Sequence, residues 1–213
     1  MPLDLRCRRG GSLTEEQENR LRWATASRSV RAVTHVRRGP EQTSDVSIIA
    51  EIDRSEHVDF QYRLVDGRLE KVPATIRDVP AWDRHGNAEH SVAHQMEFCS
   101  AALAKGGTLL ATYDGERPTG LVTIVPEFEP PMAWFAILYV SRPYRRQGVA
   151  QSLWDAAVDI SRQHSASTMY VSANPTEAAV GFYLRQGCRL ASPVHPELYK
   201  MEPEDIHLIF DLE

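Results

Sequence analysis

The run Ala133-Trp134-Phe135-Ala136-Ile137-Leu138-Tyr139-Val140 limits the fold of this chain more than any other segment, because it offers no polar face. A strand with one side in water alternates apolar and polar residues. A nearly unbroken apolar run implies burial on both faces and a place in the middle of a sheet. The residues that follow fix its neighbours. Beyond Ser141 to Gly148, the residues Leu153, Trp154, Ala157 and Val158 recur at helical spacing, with Asp155, Asp159 and Arg162 on the other side. Thr168 to Ser172 reads as another strand. Such a strand–helix–strand unit is expected to be a parallel, right-handed crossover.

On the amino-terminal side, Thr108 to Tyr113 and Gly120 to Val125 read as strands joined at Asp114-Gly115, and Pro130-Pro131 turns the chain into the central run. Phe60 to Val65 and Arg68 to Val72 flank Asp66-Gly67, a strong hairpin signal. Ser91 to Lys105 predicts a helix ended by Gly106-Gly107, and Val46 to Ile52 a short helix capped by Ser44 or Asp45. On the carboxyl side, Thr176 to Gln186 predicts a helix ended by Gly187, and Ile206 to Leu212 a last strand. The order is that of an α/β fold with a mixed, mostly antiparallel central sheet flanked by helices. Residues 1–40 read as an amino-terminal arm, partly helical or disordered, in which Thr14 to Gln17 have capping-box form. Residues 41–213 form the main domain.

Hydrophobic residues make up 42% and charged residues 25% of the chain, ordinary values for a soluble globular protein. No apolar run approaches the ~20 residues that span a bilayer, and the amino terminus lacks a signal-peptide core. A cytoplasmic location with no membrane partner is therefore expected. Cys7, Cys99 and Cys188 contain no CxxC pair, which argues against a disulfide framework or a zinc knuckle. A packed Cys188 is favoured over a catalytic thiol, since nothing nearby in sequence marks a low thiol pKa. His90 and His94 have the spacing by which two imidazoles share a helix face in zinc sites. The glutamate of HExxH is absent, however, and no metal is expected. The net charge of −5 is uneven: residues 1–38 carry nine Arg against four acids (+5), which leaves −10 on the rest. A negative main domain argues against nucleic acid and favours a cationic small molecule.

The turn after the central run carries the most specific chemistry. A nucleotide pyrophosphate needs several converging N–H donors with positive charge nearby, and a helix amino terminus presents such donors already aligned. Arg145-Arg146-Gln147-Gly148-Val149-Ala150 supplies the parts in order. The two arginines offer charge-assisted contacts, Gly148 admits a phosphate close to the backbone, and Val149 and Ala150 begin the helix.

This region resembles the GNAT superfamily of acyl-CoA N-acyltransferases, whose loop follows Q/R-x-x-G-x-G/A; here it is Arg145-x-x-Gly148-x-Ala150. The resemblance continues through Tyr170-Val171-Ser172-Ala173-Asn174-Pro175 and through Phe182-Tyr183 to Gly187-Cys188. It is convincing over about 107–190 and absent over 1–40. The ending Glu202-Pro203-Glu204-Asp205-Ile206-His207-Leu208 is similar to actinobacterial and haloarchaeal members. The resemblance implies a GNAT-like acyl-CoA N-acyltransferase fold and an acetyl-CoA-dependent N-acetyltransferase, with acetyl-CoA as co-substrate. The expected acceptor is a small-molecule or peptide amine, attacked directly in a ternary complex, with a homodimer allowed. On this resemblance Leu138, Tyr139 and Val140 offer backbone groups to the pantetheine arm, and Arg145, Arg146, Gln147, Gly148, Val149 and Ala150 hold the pyrophosphate. Asn174 hydrogen-bonds the pantetheine, and Tyr183 protonates the departing thiolate.

A primary amine must lose a proton before it attacks a thioester, and the central run contains no carboxylate to take it. Glu127 and Glu129, just before Pro130-Pro131, are the nearest candidates by sequence; a water chain to bulk is the other route. Glu51, Asp53, Glu56 and Asp59, with Tyr62, Trp82 and Trp134, are candidates for lining an acceptor pocket, set against a plain solvated helix face. The rival reading of the whole chain is a non-catalytic acyl-CoA-binding module whose amino-terminal arm contacts a partner.

Overall fold

The structure is a computed structural model and describes residues 38–212; the expectations for the amino-terminal arm otherwise lie outside the described residues. Seven strands form one sheet. They are β1 (Arg38–Thr43), β6 (Thr108–Asp114), β7 (Arg117–Glu129), β8 (Met132–Val140), β9 (Thr168–Ala173), β10 (Arg189–Leu190) and β11 (Ile206–Asp211). Their order is β1-β6-β7-β8-β9-β11-β10. Every pairing is antiparallel except β8 with β9. The sheet is thus mixed and mostly antiparallel, and its one parallel contact encloses the predicted crossover. Two smaller ladders stand apart: β2 (Glu56–His57) with β5 (Asp78–Val79), and β3 (Phe60–Val65) with β4 (Arg68–Pro73). The second is the expected hairpin, and Asp66 and Gly67 at its tip both have positive φ, as its turn type requires.

Helices cover both faces. On one lie α2 (Val149–Gln163) and α3 (Glu177–Arg185), which bury Val149, Leu153, Trp154, Ala157, Val180 and Tyr183 against Phe135, Val171 and Leu208. On the other lie a 3₁₀ turn (Val46–Glu51), α1 (Val92–Ala104) and α4 (Pro196–Met201), packed on Leu109, Leu121, Ile137, Trp134 and Tyr170. Short polar residues set the helix starts. Asp45, Ser91 and Thr176 each accept a backbone N–H of the first turn. Three departures from the sequence reading have simple causes. Arg38 to Pro40 belong to the edge strand β1, so the sheet begins before residue 41. β7 runs past Val125 to Glu129 because it hairpins directly into β8 through Pro130-Pro131. α4 and β10 are too short to leave a periodic signal.

Gly120 shows how closely α2 sits on the sheet. A Cβ there would lie 2.8 Å from a Val149 methyl carbon and 3.0 Å from the Tyr139 carbonyl oxygen. Replacing Gly120 with Val is expected to cost about 1–3 kcal/mol through overpacking. Thermal unfolding of the variant should show a Tm several degrees lower, and an unchanged Tm would contradict this packing.

Candidate active site

The site begins with an irregularity in the central strand. β8 pairs with β7 as Thr123↔Ile137 and Ile124↔Phe135, so Ala136 is an extra residue, a bulge. β8 pairs with β9 only as far as Phe135↔Val171. Beyond the bulge the two parallel strands part, and residues 136–140 have no strand on that side among the described residues. The bulge also exchanges faces: Phe135, Leu138 and Val140 pack toward α2 and α3, whereas Ile137 and Tyr139 pack toward α1. The last three residues of β8 are accordingly only half-buried, and the strand buried on both faces is β7.

The register says which backbone groups are free along the parted edge. Gly120 lies opposite Val140, and the Ser141 N–H donates to the Thr119 carbonyl. Antiparallel alternation then turns the N–H and C=O of Ile137 and Tyr139 toward β7 and those of Leu138 and Val140 toward the gap. This corrects one expectation. Tyr139 has no backbone group to offer across the gap; it presents its ring to the α1 side, 5.0 Å from Trp82 and edge-on, with its hydroxyl donating to Gln95 Oε1 at 3.3 Å.

At the end of this edge stands the amino terminus of α2. The first hydrogen bond of that helix runs from the Ser152 N–H to the Gly148 carbonyl. Among the described residues, the six N–H groups from Arg146 to Gln151 have no acceptor. Gly148 has φ 83° and open space where a Cβ would be. Arg146 also has positive φ, and it and Gln147 are exposed. Six free amides, an aligned helix dipole and an uncovered glycine fit a diphosphate.

The Arg145 guanidinium does not join them. It donates to the carbonyls of Val140 (3.1 Å), Ser55 (3.0 Å) and Arg54 (2.9 Å), with Asp53 at 3.5 Å. These bonds lock the loop to the segment after the 3₁₀ turn. The expectation of a phosphate contact from the Arg145 side chain is therefore corrected: its donors are taken by backbone.

Tyr183 lies on α3 against Phe135, Trp154 and Phe182. It is 6% exposed, yet its hydroxyl makes no hydrogen bond within the described residues. Burial raises its pKa, with smaller contributions from Cys188, Tyr139, Asp205 and Glu202, so it stays protonated at neutral pH. Asn174 is exposed just past the end of β9. Cys188 is buried, and burial pushes its thiol up to about 12, which removes it as a nucleophile.

Glu127 and Glu129 are a further correction. Glu129 pairs with Met132, at the end of β8 remote from Val140. Each faces an imidazole, Glu127 with His164 at 3.3 Å and Glu129 with His195 at 3.1 Å. The hairpin that carries them points away from the gap. His90 precedes the cap of α1 instead of sharing a helix face with His94, and its Nδ1 accepts from Arg54 at 3.2 Å. Among the described residues no group of three or more His, Cys, Asp or Glu is arranged to hold a metal ion.

Sequence reasoning missed two carboxylates whose charge acts on both Tyr139 and Tyr183. Glu202 and Asp205 lie in the turn between α4 and β11, with Glu89 acting electrostatically on both. Burial, then Asp205, pushes Glu202 up to about 7; burial, then Glu89 and Glu204, pushes Asp205 up to about 7. The guanidinium of Arg54 lies 4.4 Å over the Trp82 ring and feels Tyr139 and Glu89. The α1 side of the gap is thus aromatic and rich in acids. The only sequence signal was a pair of acids spaced three apart before the last strand.

The acetyltransferase (GNAT) family model matches residues 75–188, more than half of the 213-residue chain. The chain belongs to that family and is an acetyltransferase. Its fold is shared with the crystal structure of nourseothricin acetyltransferase: TM-score 0.59, 16% identity, 82% of this chain and 98% of that one covered. It is also shared with a protein of Bacillus anthracis assigned as a streptothricin acetyltransferase and solved in complex with acetyl coenzyme A (TM-score 0.50, 18% identity, 80% and 93% covered). A GNAT-family acetyltransferase from Staphylococcus aureus Mu50 is similar over less of the chain (TM-score 0.50, 15% identity, 60% and 83% covered). No curated protein matches the sequence. Among the described residues no helix is long and apolar enough to cross a membrane.

The raised carboxylates have a consequence for stability. The folded state holds protons that the unfolded chain releases, Glu202 between its ordinary 4.5 and about 7. The contribution of these two groups is present below their unfolded pKa and is lost as pH rises through about 7. The unliganded protein should melt lower at pH 8 than at pH 6, and the double substitution Glu202→Gln with Asp205→Asn should flatten that decline. An equal slope in both proteins would contradict the burial of these charges.

Proposed function

We propose that this acetyltransferase moves the acetyl group of acetyl-CoA onto a primary amine of a small molecule or peptide, by direct attack in a ternary complex. The observation that carries the reading is the parted edge of β8 running into six free amides. That edge is the length and shape of slot that a phosphorylated, extended amide chain can enter as an added strand. In this reading the Leu138 N–H and C=O hydrogen-bond the pantetheine, Asn174 adds a side-chain contact, and the N–H groups from Arg146 to Ala150 take the pyrophosphate. In the same reading the Val140 N–H, which faces the gap, serves the oxyanion that forms on attack.

Direct attack needs donor and acceptor on opposite sides of one opening, and the exchange of faces at the bulge is compatible with that arrangement. The cofactor side is lined from α2 and α3, the acceptor side from α1 and the turn before β11. The amine attacks the thioester carbon, a C–N bond forms, and the C–S bond breaks. Tyr183 gives its proton to the departing sulfur and recovers one from the nitrogen as the amide forms. The acids on the acceptor side favour an ammonium-bearing substrate and concentrate it before reaction. Nourseothricin, after which the protein of similar fold is named, is a reasonable first acceptor to try.

Thiol release from acetyl-CoA should be followed with a panel of amines and nourseothricin. Tyr183→Phe is expected to lower kcat on the order of 10²-fold with little change in CoA affinity; full activity would remove Tyr183 from the mechanism. Gly148→Leu should weaken CoA binding about tenfold or more, because φ 83° is costly for leucine. Unchanged affinity by calorimetry would remove the loop from the cofactor site.

A further inference from the structure

We propose that Glu202 is the general base that deprotonates the acceptor amine, with Ser172 and His207 as the pair that positions its carboxyl group. The proposal rests on the amine reading above and gives it the carboxylate that the central strand lacks.

The placement follows from the sheet. β9 keeps its pairing with β8 to Val171, so Ser172 is the first residue of β9 beside the gap. β11 sets His207 directly across from Ser172. His207 is 6% exposed. Its Nε2 lies 3.1 Å from the Glu202 carbonyl oxygen, an acceptor only, so Nε2 carries the hydrogen and Nδ1 is left as an acceptor. The Ser172 hydroxyl lies 3.4 Å from that Nδ1. The same hydroxyl also faces the Glu202 side chain, where its donation favours the charged carboxylate.

Ser172 has one proton for two acceptors. With Glu202 ionised, the hydroxyl turns to the carboxylate and Nδ1 loses its donor. With Glu202 protonated, the acid donates to Ser172 and the hydroxyl turns to Nδ1, which satisfies the chain from Glu202 through Ser172 to His207. Meanwhile Oε2 of Glu202 is buried with no hydrogen-bond donor among the described residues. A carboxylate left short of donors, beside a hydroxyl that can turn away from it, is built to accept a proton. The substrate ammonium supplies it: one N–H bond breaks, one O–H bond forms on Glu202, and the nitrogen lone pair is released toward the thioester carbon.

The groups that set the pH at which this happens come from several elements. Asp205 and Glu204 lie in the same turn, Glu89 precedes α1, Tyr139 is on β8, Tyr183 on α3 and His207 on β11. Arg54 supplies a positive charge that acts on Tyr139. The acids and burial hold the Glu202 proton to near-neutral pH, and burial lowers the pKa of His207, which keeps it neutral and ready to accept.

The test is the pH profile of kcat/KM for an amine that the wild-type enzyme acetylates, with acetyl-CoA saturating. The wild type should gain activity with a break near pH 7. Glu202→Gln should lose that break and fall on the order of 10²-fold at pH 7.5, with CoA affinity within about twofold of wild type. Glu202→Asp should recover part of the loss. Ser172→Ala should move the break upward, since the charged carboxylate loses a donor, and Asp205→Asn should move it downward. A Glu202→Gln enzyme that keeps rate and break, or a break that vanishes in Asp205→Asn instead, overturns the assignment while leaving amine acetylation intact. Wild-type protein that acetylates no amine overturns both.

Discussion

The parting of β8 from β9 is the constraint on which the rest of the site depends. One extra residue, Ala136, ends the only parallel pairing in the sheet after four residue pairs. A continuous ladder would leave Leu138 and Val140 bonded to β9 and the sheet closed. Instead the two faces, each covered by its own helices, communicate through one opening. The unpaired backbone would be costly if it were fully buried; the half-exposure of Leu138, Tyr139 and Val140 is what makes it tolerable without a ligand.

The reactive groups are distributed around this opening by elements distant in sequence. α2 delivers its amides to one end because its amino terminus follows β8 after a single 3₁₀ turn, Arg142–Tyr144. α3 holds Tyr183 by packing with Phe135 and Trp154. The turn before β11 carries two carboxylates, whose pKa values burial and neighbouring acids raise to about 7. None of these placements requires a metal, and each uses a different structural device: a helix end, an aromatic cluster and a buried turn.

Local pattern made the donor half legible in the sequence. The apolar run 133–140, the helical stripe at Leu153, Trp154, Ala157 and Val158, and the Arg-Gln-Gly turn between them are contiguous, so chain order alone places them together. The acceptor half was hidden because it is assembled by long-range contact. Glu202 meets Ser172 only through the β9–β11 pairing, and no periodicity announces that register. Glu127 and Glu129 misled for the same reason: they are near the central strand in sequence, but the hairpin at Pro130-Pro131 carries them to its far end. Arg145 misled more subtly. The loop pattern specifies a basic residue there without saying whether its charge faces a ligand or the backbone.

That arginine has a mechanical meaning. Its guanidinium binds carbonyl oxygens from both the end of β8 and the segment after the 3₁₀ turn, and the Arg142 N–H and the Ser141 hydroxyl add bonds to Asp53. Each such bond contributes on the order of 1 kcal/mol, so the loop proposed to cradle a diphosphate and the segment leading to Arg54 are riveted into one part. In the proposed reading the two substrates therefore meet one shared wall, which does not flex on one side alone. Whatever tightens around the nucleotide also pulls on the frame that meets the amine.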